Sequence, residues 1–132
     1  MSGSEPYSAV HRLPTDADAP RAARDAAALM LGRLGGGDGR SEDLALVVSE
    51  LVTNAVRHGP GGELELRLEG SASTIRVEVS DGGTATFAWP PDATDGHWGL
   101  NLVSIFSDRA GVIRDPSTCV WCELDLDGPA AR

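Results

Sequence analysis

Two segments in the middle of the chain alternate strictly between apolar and polar residues. Leucine occupies every second position of residues 64–68, and isoleucine or valine occupies every second position of residues 75–79. Because successive side chains of a β-strand point to opposite faces of a sheet, each segment predicts a strand with one apolar face. Glycines and serines bracket the two segments as turns. Such strands are stable only when a second layer covers their apolar face.

A first helix that can supply this layer is predicted from Ala17 to Leu34, a segment rich in alanine. Pro14 and Thr15 open this helix, and we expect Thr15 and Asp18 to form a capping box at its start. The glycines that begin at Gly35 end it. The residues at helical spacing are Ala22, Ala26, Leu29, Met30 and Arg33.

A second helix is predicted to begin with Ser41 as its N-cap and to end at Gly59 and Pro60. Glutamate and aspartate follow the cap, where the helix dipole favours acidic side chains. The predicted apolar stripe of this helix consists of Leu44, Val47, Val48, Leu51 and Ala55.

The remaining predicted elements are a first edge strand at Tyr7–Leu13, a short helix at Gly99–Ser107, and two strands at Ala110–Arg114 and Thr118–Leu126. Residues 81–96 have no usable periodicity, and a loop of that length in so short a chain is usually functional. The order of elements predicts an α+β fold: a two-layer α/β sandwich whose mixed, mostly antiparallel sheet is covered on one face by helices.

The length, net charge and apolar runs of the chain exclude several classes of protein. A chain of 132 residues suits one domain, which we assign to residues 1–132, with residues 1–6 and 128–132 expected to be disordered tails. The formal net charge of -9 argues against direct binding of nucleic acid. No apolar run reaches the roughly 18 residues of a membrane span, and the first residues lack a signal-peptide pattern. A cytoplasmic protein without a membrane partner is therefore predicted.

The two cysteines are three residues apart, as in a redox motif or half of a metal site. Cys119 and Cys122 lie on a predicted strand, however, where residues three apart point to opposite faces. We therefore interpret them as two small residues of the core or the sheet edge.

Glu50, Asn54 and Arg57 share one face of the second predicted helix, because they are spaced four and three residues apart. This polar face borders the apolar stripe, which places it at the edge of the core. An amide oxygen and nucleotide phosphates are ligands that suit Mg²⁺, and a nearby carboxylate can deprotonate a hydroxyl. The simpler interpretation is a solvated helix face.

Two further motifs are weak when taken singly. Asp81 ends a predicted strand and precedes Gly82 and Gly83, which suits either a tight turn or a carboxylate that accepts a hydrogen bond from an exocyclic amine. Glycines within residues 95–99 precede the short helix, whose first N–H groups can bind an anion. A plain glycine-rich loop is the alternative for this second motif.

In this order and spacing, the motifs resemble the N, G1, G2 and G3 boxes of the histidine-kinase-like ATPases. The resemblance covers about Ser41 to Leu126. Within that family the chain is similar to the small stand-alone bacterial anti-sigma factors that have serine kinase activity. The segments that carry this similarity are residues 50–58, 99–103, 107–109 and 120–124.

The resemblance implies a Bergerat ATP-binding fold that binds ATP and Mg²⁺, and it assigns a role to each matching residue. Glu50 is the general base and Asn54 the Mg²⁺ ligand, while Asp81 reads adenine and Gly83 leaves room for its ring. The other implied nucleotide contacts are Arg57 and His58 at the end of the N box, Gly96, His97, Trp98, Gly99 and Leu100 at the phosphates, and Thr118 near the base. His58 can equally be a structural residue that caps its own helix.

The implied activity is transfer of a phosphoryl group from ATP to a serine or threonine of an anti-sigma-factor antagonist, together with sequestration of a sigma factor. A homodimer through the first strand or first helix is also considered. The alternative is a binding module of the same fold without kinase activity. It is favoured by the segment between Gly83 and Gly96, which contains no lysine or arginine, whereas the presence of Glu50 favours the kinase. Ala85 and Ser117 also stand where the family often has glycine.

Overall fold

The computed structural model describes residues 7–35, 38–71, 73–83, 98–114 and 117–126. The expected terminal tails lie outside these residues, as do Ala85, Gly96 and His97. The described elements are, in chain order, β1 (Tyr7–Pro14), α1 (Ala19–Arg33), α2 (Ser41–His58), β2 (Glu63–Gly70), β3 (Thr74–Ser80), α3 (Trp98–Phe106), β4 (Arg109–Arg114) and β5 (Thr118–Asp125). A short 3₁₀ turn, Asp38–Arg40, leads into α2.

Within the described residues, five strands form one sheet in the order β1-β2-β3-β5-β4. Each neighbouring pair is antiparallel, so the predicted α+β architecture is confirmed, but the expectation of a mixed sheet is wrong for this part of the chain. The reason lies in the crossover after β3. The chain passes through α3 to β4 at the sheet edge, and β5 then returns between β4 and β3.

The apolar face of the sheet and the helices form one core. The alternating positions of β2 and β3 are all buried on the helical side, as their sequence predicts. The fully buried residues of this face are Leu64, Leu66, Leu68, Ile75, Val77 and Leu124. Helix α2 lies between α1 and α3 and contacts β3 and β5, which places it at the centre of the helical layer.

The predicted stripe of α2 is confirmed, and Val52 adds to it. The predicted N-cap is wrong: Ser41 is the first helical residue, and Arg40 holds the cap position without a side-chain cap hydrogen bond. The preceding 3₁₀ turn moves the start of the helix by one residue. Arg40 is instead buried, where its guanidinium pairs with Asp43 and with Asp108.

Helix α1 departs from its prediction in two ways. Thr15 does not cap it, because the Thr15 hydroxyl donates to the carbonyl of Gly62 at 3.0 Å and so ties the end of β1 to the start of β2. The helix begins at Ala19, after the N-cap Asp18. The buried stripe is Ala19, Ala23, Ala27, Met30 and Leu31, whereas the predicted Ala22 and Leu29 are exposed. An alanine-rich helix offers too little contrast between its faces to locate its stripe from sequence.

Strand β5 separates the two cysteines as predicted. Cys122 is fully buried on the helical side, and Cys119 is half-buried on the opposite face. Burial raises the pKa of the Cys122 thiol to about 12, because the thiolate would lose its solvation. Cys122 therefore serves as an apolar core residue.

The outer face of the sheet is a lattice of opposite charges. Arg76 on β3 binds Glu78 at 2.7 Å and Glu123 on β5 at 2.9 Å, and Arg109 on β4 binds Glu123 at 2.7 Å. The guanidinium of Arg76 also stacks on the ring of Trp121, 4.2 Å from its centroid. This face is therefore charged but largely self-neutralised.

None of the helices that the structure describes combines the length and apolar character that a bilayer span requires.

Replacing Leu66 by alanine should lower the free energy of unfolding by about 2–5 kcal/mol, because the side chain is fully buried and leaves a cavity. The matched control is Ile105→Ala, since Ile105 is 63% exposed, and its effect should stay within about 0.5 kcal/mol. Urea denaturation measures both values. Equal losses in the two variants would contradict the assignment of Leu66 to the core and Ile105 to the surface.

The charge lattice should make stability depend on acid pH. Hydrogen bonds from Arg109 and then Arg76 hold the pKa of Glu123 below its usual range. The carboxylate therefore contributes stability above the unfolded-state pKa of about 4.3, and this contribution is lost as the pH falls through the lower folded pKa. We expect the free energy of unfolding to fall less steeply below about pH 4.5 in Glu123→Gln than in the native protein. Glu69→Gln is the control on the same face, and a slope unchanged by Glu123→Gln would contradict the argument.

Candidate functional site

The polar flank of α2 carries two of the predicted site residues. Glu50 and Asn54 are one helical turn apart and are both half-buried beside the core stripe. Ser49, the neighbour of Glu50, accepts a hydrogen bond from Arg24 of α1 at 2.9 Å and so marks the side of α2 that faces α1. Asn54 lies about 140° around the helix from Ser49. The two site residues therefore occupy the flank of α2 that faces away from α1.

The opposite flank points toward α3. Asp43 lies seven residues before Glu50, so the two carboxylates are nearly aligned along the helix. Asp43 pairs with Arg40, which also binds Asp108 in the turn between α3 and β4. Glu50 and Asn54 are thereby placed on the α3 side of α2, at the border of the core.

Asp81 follows the last residue of β3 and folds back onto its own turn. Its Oδ1 accepts a hydrogen bond from the N–H of Gly83 at 2.8 Å, which is an Asx turn. Gly82 between them has a φ of +80°, a conformation that favours glycine. The turn leaves Oδ2 as the second acceptor of this carboxylate.

The Asp81 carboxylate packs against the C-terminal end of α2. A Cβ atom on Gly59 would lie 2.7 Å from Asp81 Oδ2, closer than such contacts occur in proteins. A Cβ atom on Gly83 would lie 3.2 Å from Cδ of Pro60. The end of α2 and the end of β3 therefore meet through two residues that have no side chain.

Thr118 completes this meeting point from β5. Its N–H donates to the carbonyl of Gly83 at 2.9 Å, and the residue is buried. Asp81, Gly83 and Thr118 are separated by up to 37 positions in the sequence, yet the sheet brings them together because β3 and β5 are neighbouring strands. We call Gly59, Asp81, Gly83 and Thr118 the carboxylate cluster.

Comparison with known proteins now identifies the family. The family model of the histidine kinase-like ATPase domain matches residues 13–123, which include the three α-helices of the described residues and the carboxylate cluster. The chain belongs to the histidine kinase-like ATPase domain family. The comparison with curated proteins finds no match.

The fold is also similar to a solved structure. The crystal structure of the RsbU and RsbW domains of Rv1364c from Mycobacterium tuberculosis superposes with a TM-score of 0.72 and 21% sequence identity. The superposition covers 95% of this chain and 34% of that one, so this chain spans about a third of that protein's length. At this identity the similarity concerns the fold.

The remaining predicted residues of this histidine kinase-like ATPase domain lie in two places. Arg57 and His58 are exposed in the last turn of α2, where the helix dipole favours a cation. Trp98 and Gly99 begin α3, and Leu100 is fully buried in the core behind them. The roles of these residues, like those of Glu50, Asn54 and the carboxylate cluster, stay predictions.

Sequence reasoning missed Gly59 and Pro60 as site residues. The sequence predicts only that these two residues end α2. This prediction is confirmed, since Gly59 is the C-cap. Its second contact, with the Asp81 turn, joins segments more than 20 positions apart. A glycine followed by proline is a signal for a helix end, and it carries no sign of what that end will touch.

The donor set of the described residues fits a nucleotide with Mg²⁺. Glycines line the Asp81 carboxylate where side chains would fill the space. The described residues contain no group of three or more histidine, cysteine, aspartate or glutamate side chains that could hold a metal by themselves. Mg²⁺ commonly binds through one or two protein oxygens plus substrate phosphates, and the side-chain oxygen of Asn54 offers that kind of partial site.

Proposed function

We propose that this histidine kinase-like ATPase domain binds ATP with Mg²⁺ and is an anti-sigma regulatory factor with serine/threonine protein kinase activity. The observation that carries the proposal is the contact between the Asp81–Gly83 turn and the C-terminal end of α2, the helix that presents Glu50 and Asn54. Helix α2 therefore sets the distance between Asp81, which can accept a hydrogen bond from a base, and the pair Asn54 and Glu50, which can bind a metal and accept a proton. Membership of the family supports ATP as the ligand.

The carboxylate cluster is the proposed adenine site. An ionised carboxylate can only accept hydrogen bonds, so Asp81 selects a base edge that donates one, such as the exocyclic amine of adenine. The N–H of Gly83 occupies Oδ1 and holds the group in place. Gly83 leaves room for the flat ring, and Thr118 supplies a hydroxyl nearby.

The flank of α2 is the proposed catalytic surface. Asn54 would hold Mg²⁺, which neutralises phosphate charge when it is bound. Glu50, one turn away, would accept the proton of the attacking hydroxyl. The glycines Gly96 and Gly99, with His97, Trp98 and Leu100 around the start of α3, are the proposed phosphate contacts, because the first N–H groups of a helix bind anions.

The proposed partners are proteins. The acceptor would be a serine or threonine of an anti-sigma-factor antagonist, and the second partner would be a sigma factor held while the antagonist is phosphorylated. This assignment is supported by the similarity of residues 50–58 and 99–103 to anti-sigma factors of this family. The two partners would compete for this one protein, so that binding of one lowers the apparent affinity for the other. This competition requires no direct contact of the protein with nucleic acid or with a membrane.

A homodimer is the further prediction about assembly. Strand β1 lies at the edge of the described sheet, and Tyr7 and Val10 on it are each 45% exposed. Leu29 of α1 is exposed near the same edge, where it lines a groove with Ala9 and His11 of β1. These residues make β1 and α1 the surface on which a second copy is expected.

The second candidate function is a regulatory binding module without kinase activity. Phosphoryl transfer usually relies on a cationic side chain near the transferred group. Residues 84–96 contain no lysine or arginine, which favours a module that binds nucleotide and a partner without transfer. Glu50 favours the kinase, because sequestration alone requires no base.

ATP binding can be tested by thermal unfolding with and without ATP and Mg²⁺. At a hundred times its Kd, a ligand adds about 2.7 kcal/mol to the free energy of unfolding, which raises the Tm by several degrees. We expect this rise in the native protein and its loss in Asp81→Asn, because the amide presents an N–H to the amine of adenine. No rise at millimolar ATP in the native protein would contradict ATP binding by the isolated chain.

Kinase activity can be tested by transfer of labelled γ-phosphate to a candidate antagonist protein. We expect transfer by the native protein and a loss of about 100-fold or more in Glu50→Gln, which keeps the shape of the side chain but not its basicity. The ATP-induced rise in Tm should be the same in both proteins. Binding of ATP and antagonist without any transfer would favour the binding module instead.

A further inference from the structure

We propose that Gly59 is a specificity-determining residue that sets the position of the Asp81 carboxylate and thereby the preference for a 6-amino over a 6-oxo purine. The inference rests on the proposed nucleotide site and adds a residue to it that lies outside the motifs of that site. Gly59 contacts no base in this proposal. It acts through Asp81, as a positioning residue.

The glycine at position 59 is required by space and not by conformation. Its φ is -82° and its ψ is 176°, an extended conformation that any residue adopts and that is usual before a proline. Gly61, Gly62 and Gly82 differ, because they have positive φ and open space where a Cβ would stand. The backbone at position 59 would accept alanine if its surroundings did.

The surroundings exclude a side chain at this position. A Cβ atom would lie 2.5 Å from the carbonyl oxygen of Ala55 and 2.7 Å from Oδ2 of Asp81. The Ala55 carbonyl is held by the helix and accepts the N–H of Gly59 at 2.9 Å. The carboxylate ends a side chain that can rotate. An added methyl group therefore displaces the Asp81 carboxylate, and its contact with the Ala55 carbonyl also requires a shift of the backbone at the end of α2.

A hydrogen bond fixes one oxygen of the carboxylate, because the N–H of Gly83 donates to Oδ1 at 2.8 Å. Oδ2 lies where it would be 2.7 Å from a Cβ atom on Gly59, and a Cβ atom on Gly83 would lie 3.2 Å from Cδ of Pro60, so the two turns are closely packed. A carboxylate fixed in this way accepts a hydrogen bond from an amine at one place, and it repels a carbonyl oxygen at the same place.

The test measures Kd for ATP and for ITP, which has an oxygen where ATP has the exocyclic amine. We expect the native protein to prefer ATP by about tenfold or more, as for a hydrogen bond to a charged group. In Gly59→Ala the preference should fall to within about twofold of unity, mainly through loss of ATP affinity. Gly32→Ala is the matched control, because Gly32 has open space around it and no positive φ, and it should keep the native preference.

A double variant separates a positioning role from general damage. If Gly59 acts only through Asp81, adding Gly59→Ala to Asp81→Asn should leave the ATP and ITP affinities of Asp81→Asn within about twofold, since coupled residues are not additive. If the double variant instead lost further affinity, by the same factor that Gly59→Ala costs the native protein, the inference would be overturned. If Gly59→Ala does not fold, Asp81→Glu serves instead, because it moves the carboxylate by one methylene while leaving α2 unchanged. A native preference in Asp81→Glu would also overturn it.

A ligand-free measurement separates this inference from the proposed function. The amide of Gly83 is held by Asp81 in the native protein, so its hydrogen-exchange protection in NMR should fall in Gly59→Ala and in Asp81→Ala, and stay native in Gly32→Ala. Native protection in Gly59→Ala would overturn the positioning role whatever the protein binds. Reduced protection with no ATP binding by the native protein would leave the positioning in place and refute the proposed function.

Discussion

Burial of the apolar stripe of α2 against the inner face of the sheet is the interaction on which the rest of the molecule depends. The stripe residues Val47, Val48 and Val52 have no exposed surface, and they face strands whose inner side chains are equally buried. Burying this apolar surface is the main favourable contribution to folding. Because a helix is rigid, fixing one face also fixes the others. The flank with Glu50 and Asn54 is therefore held at the border of the core.

Both ends of α2 are tied to the sheet by different chemistry. At its start, buried Arg40 joins Asp43 to Asp108 through ion pairs. At its end, the absence of a side chain on Gly59 allows the Asp81 turn to approach. An ion pair at one end and a close approach of backbone at the other hold the helix in register with β3 and β4. The proposed nucleotide site on α2 would gain its precision from these two attachments.

Most secondary structure could be predicted because the periodicities are strong. The alternation in β2 and β3 and the stripe of α2 each predicted the buried side chains correctly. Prediction failed where contrast was weak or partners were distant. The stripe of α1 was misplaced onto Ala22 and Leu29 because alanine fits either face, and Thr15 was assigned to a cap when its hydroxyl binds Gly62 instead. The candidate site shows the same contrast between local motifs and distant partners. Asp81 and Gly83 stand in a motif that is recognisable in the sequence, whereas Gly59 does not.

The sequence by itself determined the elements, the helical side of the sheet and the family to which the chain belongs, because these depend on local periodicity and on motifs read along the chain. Tertiary structure alone decided the strand order, the antiparallel pairing of β3 with β5, and the contact of Gly59 with Asp81. Each of these joins residues far apart in the chain. Their partners are chosen by packing and loop closure, and a local pattern contains no information about either choice.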